Sequence, residues 1–477
     1  MALADAAGRR RAPQRLERGS ESQVSLSLSF LGGVGTVTGS RFLLESDGRR
    51  VLIDCGLFQG LKQLRLRNWA PFPVKPAAID AVLLTHAHLD HSGYLPALVR
   101  DGFAGRVYCS HATQELCAIL LPDSGYLQEK DAEYANRHGF SKHKPALPLY
   151  TLKDADAALS HLSAIPFHEQ RALPEGPTVQ LRRAGHILGA ASIECEWSGV
   201  KVVFSGDLGR FNDPMMVDPE PVPEADYLVV ESTYGDRRHD PSDPQEAIAE
   251  IVNRTTGRGG TVVIPAFAVG RAQSLLYYLE RLKAGGRLTN VPIFLDSPMA
   301  LDATELLCSH LDDHRLSAAA CTRACKIATY VRSVDESKAL TVNPVPKIII
   351  SASGMATGGR VLHHLKRYAP DPRSAIIFAG YQAAGTRGAA MVAGAESIKI
   401  HGGYVPVRAE VRNLSMLSAH ADADEILSWL RRFNKAPRQT FISHGEPTAS
   451  DVLRRRIEEE LGWSCRVPEH LEKVDLA

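Results

Sequence analysis

The run Val24-Ser-Leu-Ser-Leu-Ser-Phe30 alternates apolar and polar residues strictly, the period-two mark of a half-buried strand. A glycine-punctuated loop, residues 32–39, follows. Short apolar runs at 41–45, 50–54, 81–85, 106–109 and 179–184, then a hairpin-like pair at 191–197 and 201–205, predict a strand-rich first half with helices between. The middle is patterned differently. An apolar strand at 261–267 precedes residues 269–284, where Ala272, Leu275, Leu276, Leu279 and Leu282 fall on one helical face. Strands at 291–295, 347–351 and 374–381 then alternate with helical stretches at 300–311, 317–332 and 359–368. Such alternation requires crossovers and predicts a parallel sheet. Beyond residue 414 the pattern gives a helix at 422–433, a strand at 439–443 and a helix at 449–461.

Composition narrows the class. With 477 residues, 44% hydrophobic and 23% charged, the chain is long enough for more than one core and is balanced like a globular protein. No run approaches the ~18 apolar residues of a membrane span, so no membrane partner is expected. A net charge of +1, from 55 basic and 54 acidic residues, excludes a globally basic coat but leaves room for a local basic groove. Eight cysteines are too few for a disulfide scaffold, and a reducing interior is expected, with cytoplasm as the default location. Residues 1–23 carry Arg9, Arg10, Arg11, Arg15 and Arg18 without an apolar stretch behind them, and are expected to form a solvated, disordered arm.

The strongest chemical signal is Thr85-His86-Ala-His88-Leu-Asp90-His91, four possible ligands within six residues directly after a strand. Imidazole with carboxylate suits zinc or a similar divalent ion, and two histidines at i, i+2 can point to one side of an extended segment. One loop cannot close two coordination spheres, so His186 (in Gly-His-Ile) and Asp207 (in Ser-Gly-Asp) are further candidates.

These residues, taken in order, resemble the metallo-β-lactamase superfamily: Asp54 in Leu-Ile-Asp-Cys-Gly, the His86–His91 cluster, His186 and Asp207. The chain further resembles the β-CASP branch of nucleases, closest to the RNA 3′-end-processing type. The first of that branch's motifs matches Glu231-Ser-Thr-Tyr-Gly235, the second Ser418-Ala-His420-Ala-Asp422, the third Ser443-His444-Gly-Glu446, and the likeness covers about residues 24–470. The resemblance implies two Zn2+ ions. One would take His86, His88 and His186, the other Asp90, His91 and His444, with Asp207 bridging and Asp54 steadying a ligand histidine by a hydrogen bond. It also implies an α/β fold, an αββα sandwich from residues 24–240 and 396–477 with a parallel α/β β-CASP domain inserted at 241–395. Spacing agrees: Asp207 and His420 are separated by enough chain for another domain.

Two metals ~3.5–4 Å apart can brace the oxygens of an in-line displacement at a phosphodiester. His420 is the candidate proton donor to the leaving oxygen, oriented by Glu231; with Asp90 they form the expected catalytic set. Softer candidates touch phosphate. The run Ser351-Ala352-Ser353-Gly354-Met355 opens a helix, and backbone N–H groups around positions 352 and 354 could cradle a phosphate; position 352, an alanine, offers only its backbone. Arg271 could grip the substrate backbone or merely face solvent; His363 and His364 read as packing or surface residues. The expected activity is hydrolysis of single-stranded RNA, endonucleolytic, with a 5′-to-3′ exonuclease mode on the same site and a homodimer as a compatible assembly. Three other readings remain open: a small-molecule hydrolase of lactamase or thioesterase type, a DNA nuclease, and a non-catalytic RNA-processing subunit.

Overall fold

The computed structural model describes residues 26–139 and 141–476, so the expected arm at 1–23 lies outside the described residues. Two seven-stranded sheets form first. One runs Lys473–Leu476, Leu26–Gly32, Arg41–Ser46, Arg49–Ile53, Ala81–Leu83, Arg106–Cys109 and Leu162–Ala164 in spatial order. The other runs Cys465–Arg466, Gln439–Ser443, Tyr227–Glu231, Val200–Phe204, Ala191–Trp197, Thr178–Arg183 and Arg171–Ala172.

The alternating residues explain why the sheets stack. Leu28, Phe30, Phe42, Leu44, Val51 and Ile53 of the first sheet meet Leu181, Ile193, Val202, Phe204, Val229 and Phe441 of the second in one core. The opposite faces need covers. Leu95, Leu98, Leu116 and Leu120 lie over Leu43, Leu52 and Val82 of the first sheet. Ile426, Leu427, Trp429, Leu453 and Ile457 lie over Val203, Leu228, Val230 and Ile442 of the second. Helix, sheet, sheet, helix is the expected sandwich.

A third, six-stranded sheet is wholly parallel, in the order Thr329–Tyr330, Ile293–Asp296, Ile348–Ser351, Val262–Pro265, Ala375–Phe378 and Glu410–Asn413. Its central strands Ile348–Ser351, Val262–Pro265 and Ala375–Phe378 are buried on both sides because helices cover both. Val262, Ile264, Ile348 and Ile350 pack under helices Pro244–Gly257 and Arg271–Ala284. Val263, Ile349 and Ile376 pack under Val361–Tyr368 and Arg387–Val392.

Two expectations differ in detail. The return to the sandwich, expected at residue 396, falls before the edge strand Glu410–Asn413, which still pairs in parallel with Ala375–Phe378; we propose that the inserted lobe extends through Asn413. The helix expected over 317–332 stops at Lys326, because Thr329–Tyr330 is drawn into the third sheet beside Phe294 and Leu295. Among the described residues no helix is long and apolar enough to cross a membrane.

Candidate metal centre and its groove

Ligands in α/β sheets gather outside the carboxyl ends of strands, and the candidate residues lie there. Asp54 follows Arg49–Ile53, His86–His91 follow Ala81–Leu83, His186 follows Thr178–Arg183, and Asp207 follows Val200–Phe204. Glu231 ends one strand, and His444 follows the parallel neighbour Gln439–Ser443, in which Ser443 pairs with Glu231. Asp54 (φ 58°) and His444 (φ 47°) hold left-handed backbone, a costly conformation for non-glycine residues that clusters at functional sites. At Gly56 a Cβ would stand 1.6 Å from the Asp90 carbonyl oxygen, so only glycine lets the histidine-rich turn settle against the first sheet.

Seven candidate ligands converge in two groups that share Asp207. His88 Nδ1 lies 3.1 Å from His86 Nε2 and 3.2 Å from His186 Nε2. Asp207 Oδ2 is 3.5 Å from the His86 nitrogen and 3.6 Å from that of His186. In the second group His91 Nε2 is 3.1 Å from His444 Nε2, and Asp90 Oδ2 is 3.5 Å from His444 Nε2. Asp207 Oδ1 is 3.3 Å from His91 Nε2, so the carboxylate turns one oxygen to each group. Glu231 also comes within reach of Asp207 and His444.

The charges of the first group fit a cation, whereas for His91 burial is more than offset by the Asp207 and Asp54 carboxylates, which hold it well above the usual range. Burial, with the imidazole of His91 for His86 and of His420 for His186, pushes both histidines well below the usual range, the neutral form in which imidazole binds metal. Burial lowers His88 as well. Burial alone would raise the Asp207 carboxyl, but His444, His91 and His86 hold it well below its ordinary value.

A second layer of contacts fixes the rings. His91 Nδ1 donates to Asp54 Oδ2 at 2.7 Å, and Asp54 in turn accepts from the Thr85 backbone N–H at 2.8 Å and the Thr85 hydroxyl at 2.9 Å. Thr233 Oγ1 stands 3.0 Å from His444 Nδ1. His420 Nδ1 donates to Glu231 Oε2 at 3.2 Å, while Glu231 Oε1 accepts from the Leu208 N–H at 2.6 Å. Burial would lower the His420 pKa, but the Glu231 and Asp207 carboxylates more than offset it, so it is raised. His239 Nε2 donates to the His420 carbonyl at 2.9 Å. Sequence reading missed Thr85, Thr233 and His239. Each sits within or beside a motif already singled out, but polar side chains there carry no sign of which ring they face.

The centre opens into a groove of about 1010 Å³ between the sandwich and the inserted lobe, lined by His88, Asp90 and His420 on one side and Arg271, Ser353 and Arg360 on the other. Arg271 is 8% exposed, so the solvent-facing alternative fails, and among the described residues its guanidinium has no hydrogen-bonding partner. Ser353 caps its own turn through the Thr357 N–H at 3.1 Å, and Gly354 is pressed against Phe267, where a Cβ would meet the ring at 2.7 Å. His364 is a buried packing residue, its Nε2 donating to Asp296 Oδ2 at 2.7 Å.

Family models match along the chain: the metallo-beta-lactamase superfamily over residues 34–264, the Beta-Casp domain over 272–391, and the Zn-dependent metallo-hydrolase RNA specificity domain over 404–468. A ribonuclease of Thermus thermophilus is 40% identical over 423 residues, covering 87% of this chain and 92% of that protein. The chain belongs to the β-CASP branch of the metallo-β-lactamase superfamily. The transcription termination factor FttA of Methanocaldococcus jannaschii is 32% identical over 94% of this chain and 71% of its own length. An RNase J-like protein of the same organism is 30% identical over 88% and 92%. A solved protein of unknown function from Enterococcus faecalis shares the fold at TM-score 0.50 and 13% identity, covering 94% of this chain and all of that one. The Beta-Casp match covers four of the six strands of the third sheet, and we call that sheet with its helices the β-CASP lobe of a zinc-dependent metallo-hydrolase fold.

Proposed function

We propose that this β-CASP protein is a ribonuclease that hydrolyses phosphodiester bonds of single-stranded RNA with two zinc ions. Cutting is endonucleolytic, and a 5′-to-3′ exonuclease mode uses the same site. The observation that carries the reading is Asp207, a buried carboxylate with one oxygen turned to each histidine group, lining a groove of about 1010 Å³. Similarity to a named ribonuclease over nearly the whole length supports it.

The donor sets fit the metal. Atoms bonded at ~2.0–2.1 Å to one tetrahedral zinc stand about 3.3 Å apart, which is close to the 3.1–3.6 Å separations among His86, His88, His186 and Asp207. Asp207 Oδ1 is buried and, among the described residues, is approached by the His91 and His444 nitrogens at 3.3 and 3.5 Å without a hydrogen bond, which suits a cation. His86, His88, His186 and Asp207 would hold one ion; Asp90, His91, His444 and Asp207 would hold the other. Zinc supplies Lewis acidity and a nucleophilic oxygen at neutral pH.

The chain's own groups do the rest. Asp54 and Thr233 set the His91 and His444 rings. With Nδ1 bound to Glu231, His420 has Nε2 left to pass a proton to the departing 3′ oxygen, giving 3′-hydroxyl and 5′-phosphate ends. Arg271, largely buried and lining the groove, is placed to pair with a backbone phosphate. Eight free cysteines accord with a reducing cytoplasm.

The test is cleavage of a 5′-labelled single-stranded RNA by zinc-loaded protein, with product ends mapped, beside His420→Ala and Asp90→Ala. Both variants should lose cleavage while keeping their circular dichroism spectrum. Full activity in both would end the assignment. Turnover of a chromogenic lactam or ester with RNA untouched would move it to a small-molecule hydrolase.

A further inference from the structure

One cluster stands apart from the metal centre. In the β-CASP lobe, Cys308 near the end of helix Pro298–Ser309 and Cys325 on helix Ala318–Lys326 bring their sulfurs to 3.0 Å. Cys321, one turn before Cys325, is buried beneath them. Four thiolates around a zinc would stand about 3.8 Å apart, given Zn–S bonds of ~2.3 Å, so the close approach of one pair suits a sulfur–sulfur bond better than a shared metal. Cys308 and Cys325 are both partly exposed, whereas Cys55, Cys109, Cys117 and Cys195 are buried. Hydrogen bonds from the neighbouring Cys321 and Cys308 thiols also favour the Cys325 thiolate, and its pKa is lowered.

The residues between the two cysteines give the pair its consequence. This segment ties the β-CASP lobe to the sandwich. His310 Nε2 donates to Glu115 Oε2 at 2.9 Å, Arg183 Nη2 to Asp313 Oδ1 at 2.9 Å, and the Arg315 N–H to the Met215 carbonyl at 2.7 Å. Residues Met216 and His314 form an isolated antiparallel bridge.

We propose that Cys308 and Cys325 are a redox-modification site, closed to a reversible disulfide by hydrogen peroxide, which fastens the segment joining the two lobes. The balance is simple. Cys325 Sγ attacks one peroxide oxygen, the O–O bond breaks, one water leaves, and Cys325 becomes a sulfenic acid. Cys308 Sγ then attacks Cys325 Sγ, the S–O bond breaks, and the departing hydroxide takes the Cys308 proton as a second water. Two thiols are oxidised by two electrons and one peroxide is reduced. A thiol reductant reverses the step by exchange.

The test uses the full chain, reduced and then treated with stoichiometric hydrogen peroxide, followed by alkylation and peptide mapping. The expected result is a cross-linked pair of peptides carrying Cys308 and Cys325, lighter by two hydrogens and restored to free thiols by dithiothreitol. Amide hydrogen exchange over residues 310–316 should slow in the oxidised form. The cross-link should vanish in Cys308→Ser and in Cys325→Ser and persist in Cys321→Ser. Quantitative alkylation of both residues after peroxide, or a bond that uses Cys321 instead, would overturn the proposal. Because neither cysteine approaches the zinc ligands, this outcome is independent of whether RNA is cut.

Discussion

Glu231 and His420, 189 residues apart in the chain, meet at 3.2 Å beside the shared carboxylate of Asp207. The contact gives His420 a fixed ring orientation and a neighbour that favours its protonated form. Glu231→Gln keeps an acceptor for the Leu208 N–H but removes the charge. Activity on RNA should fall by about 10²–10³, within the range of one general acid's contribution, while zinc content stays the same. An unchanged kcat would separate Glu231 from the reaction.

Asp54 holds His91 through a hydrogen bond and does not line the groove. Asp54→Ala should weaken zinc binding by about 10–100-fold, the usual effect of losing a group that orients a ligand. Competition with a chromogenic chelator measures this directly. Equal affinity in wild type and variant would show that His91 needs no such support.

Arg271 makes opposite demands on stability and on substrate. Burial disfavours the charged form of this guanidinium, so Arg271→Met should raise the melting temperature. The same change should weaken RNA binding by about tenfold or more, the value of one charge-assisted hydrogen bond at ~1.5–3 kcal/mol. Thermal denaturation and a binding isotherm on one preparation read both effects. Unaltered RNA affinity would remove Arg271 from the substrate path.

Lys347 is fully buried on the strand side of the β-CASP lobe, with Tyr368 Oη at 3.5 Å. Burial, with Arg367 nearby, lowers its pKa to about 8. The fold therefore disfavours the charged form. That penalty is complete below pH 8 and is relieved as pH rises toward the unfolded-state value near 10.4. Wild type should gain stability across this window relative to Lys347→Met, as followed by urea denaturation at several pH values. Parallel curves would contradict the assignment.

Trp429 is completely buried in the outer helical layer over the second sheet, and its indole N–H donates to the Glu220 carbonyl at 2.8 Å. Trp429→Ala should cost about 3–5 kcal/mol, measurable in the same denaturation experiment.

Legibility in the sequence followed how locally each feature is determined. The His86–His91 turn, the alternation at 24–30 and the apolar strands of the third sheet could be read because their residues need no distant partner to look distinctive. The long helix His111–His138 escaped notice for a physical reason. Its first half buries Leu116, Leu120 and Leu121, its second half buries almost nothing, and Pro122 inside it reads as a stop. The strands Glu410–Asn413 and Lys473–Leu476 are polar edges whose existence depends on partners far away in sequence. Thr233 and His239 belong to the same class: their roles arise from rings about 180–210 residues further on.

The polypeptide crosses between sandwich and β-CASP lobe twice, soon after Glu231 on the way out and shortly before His420 on the way back. Both crossings are thus flanked by the two halves of a single ion pair. Any swing of the lobe about these connections would pivot beside His420 and Glu231, so on the proposed function the seating of the lobe and the setting of that ring are coupled.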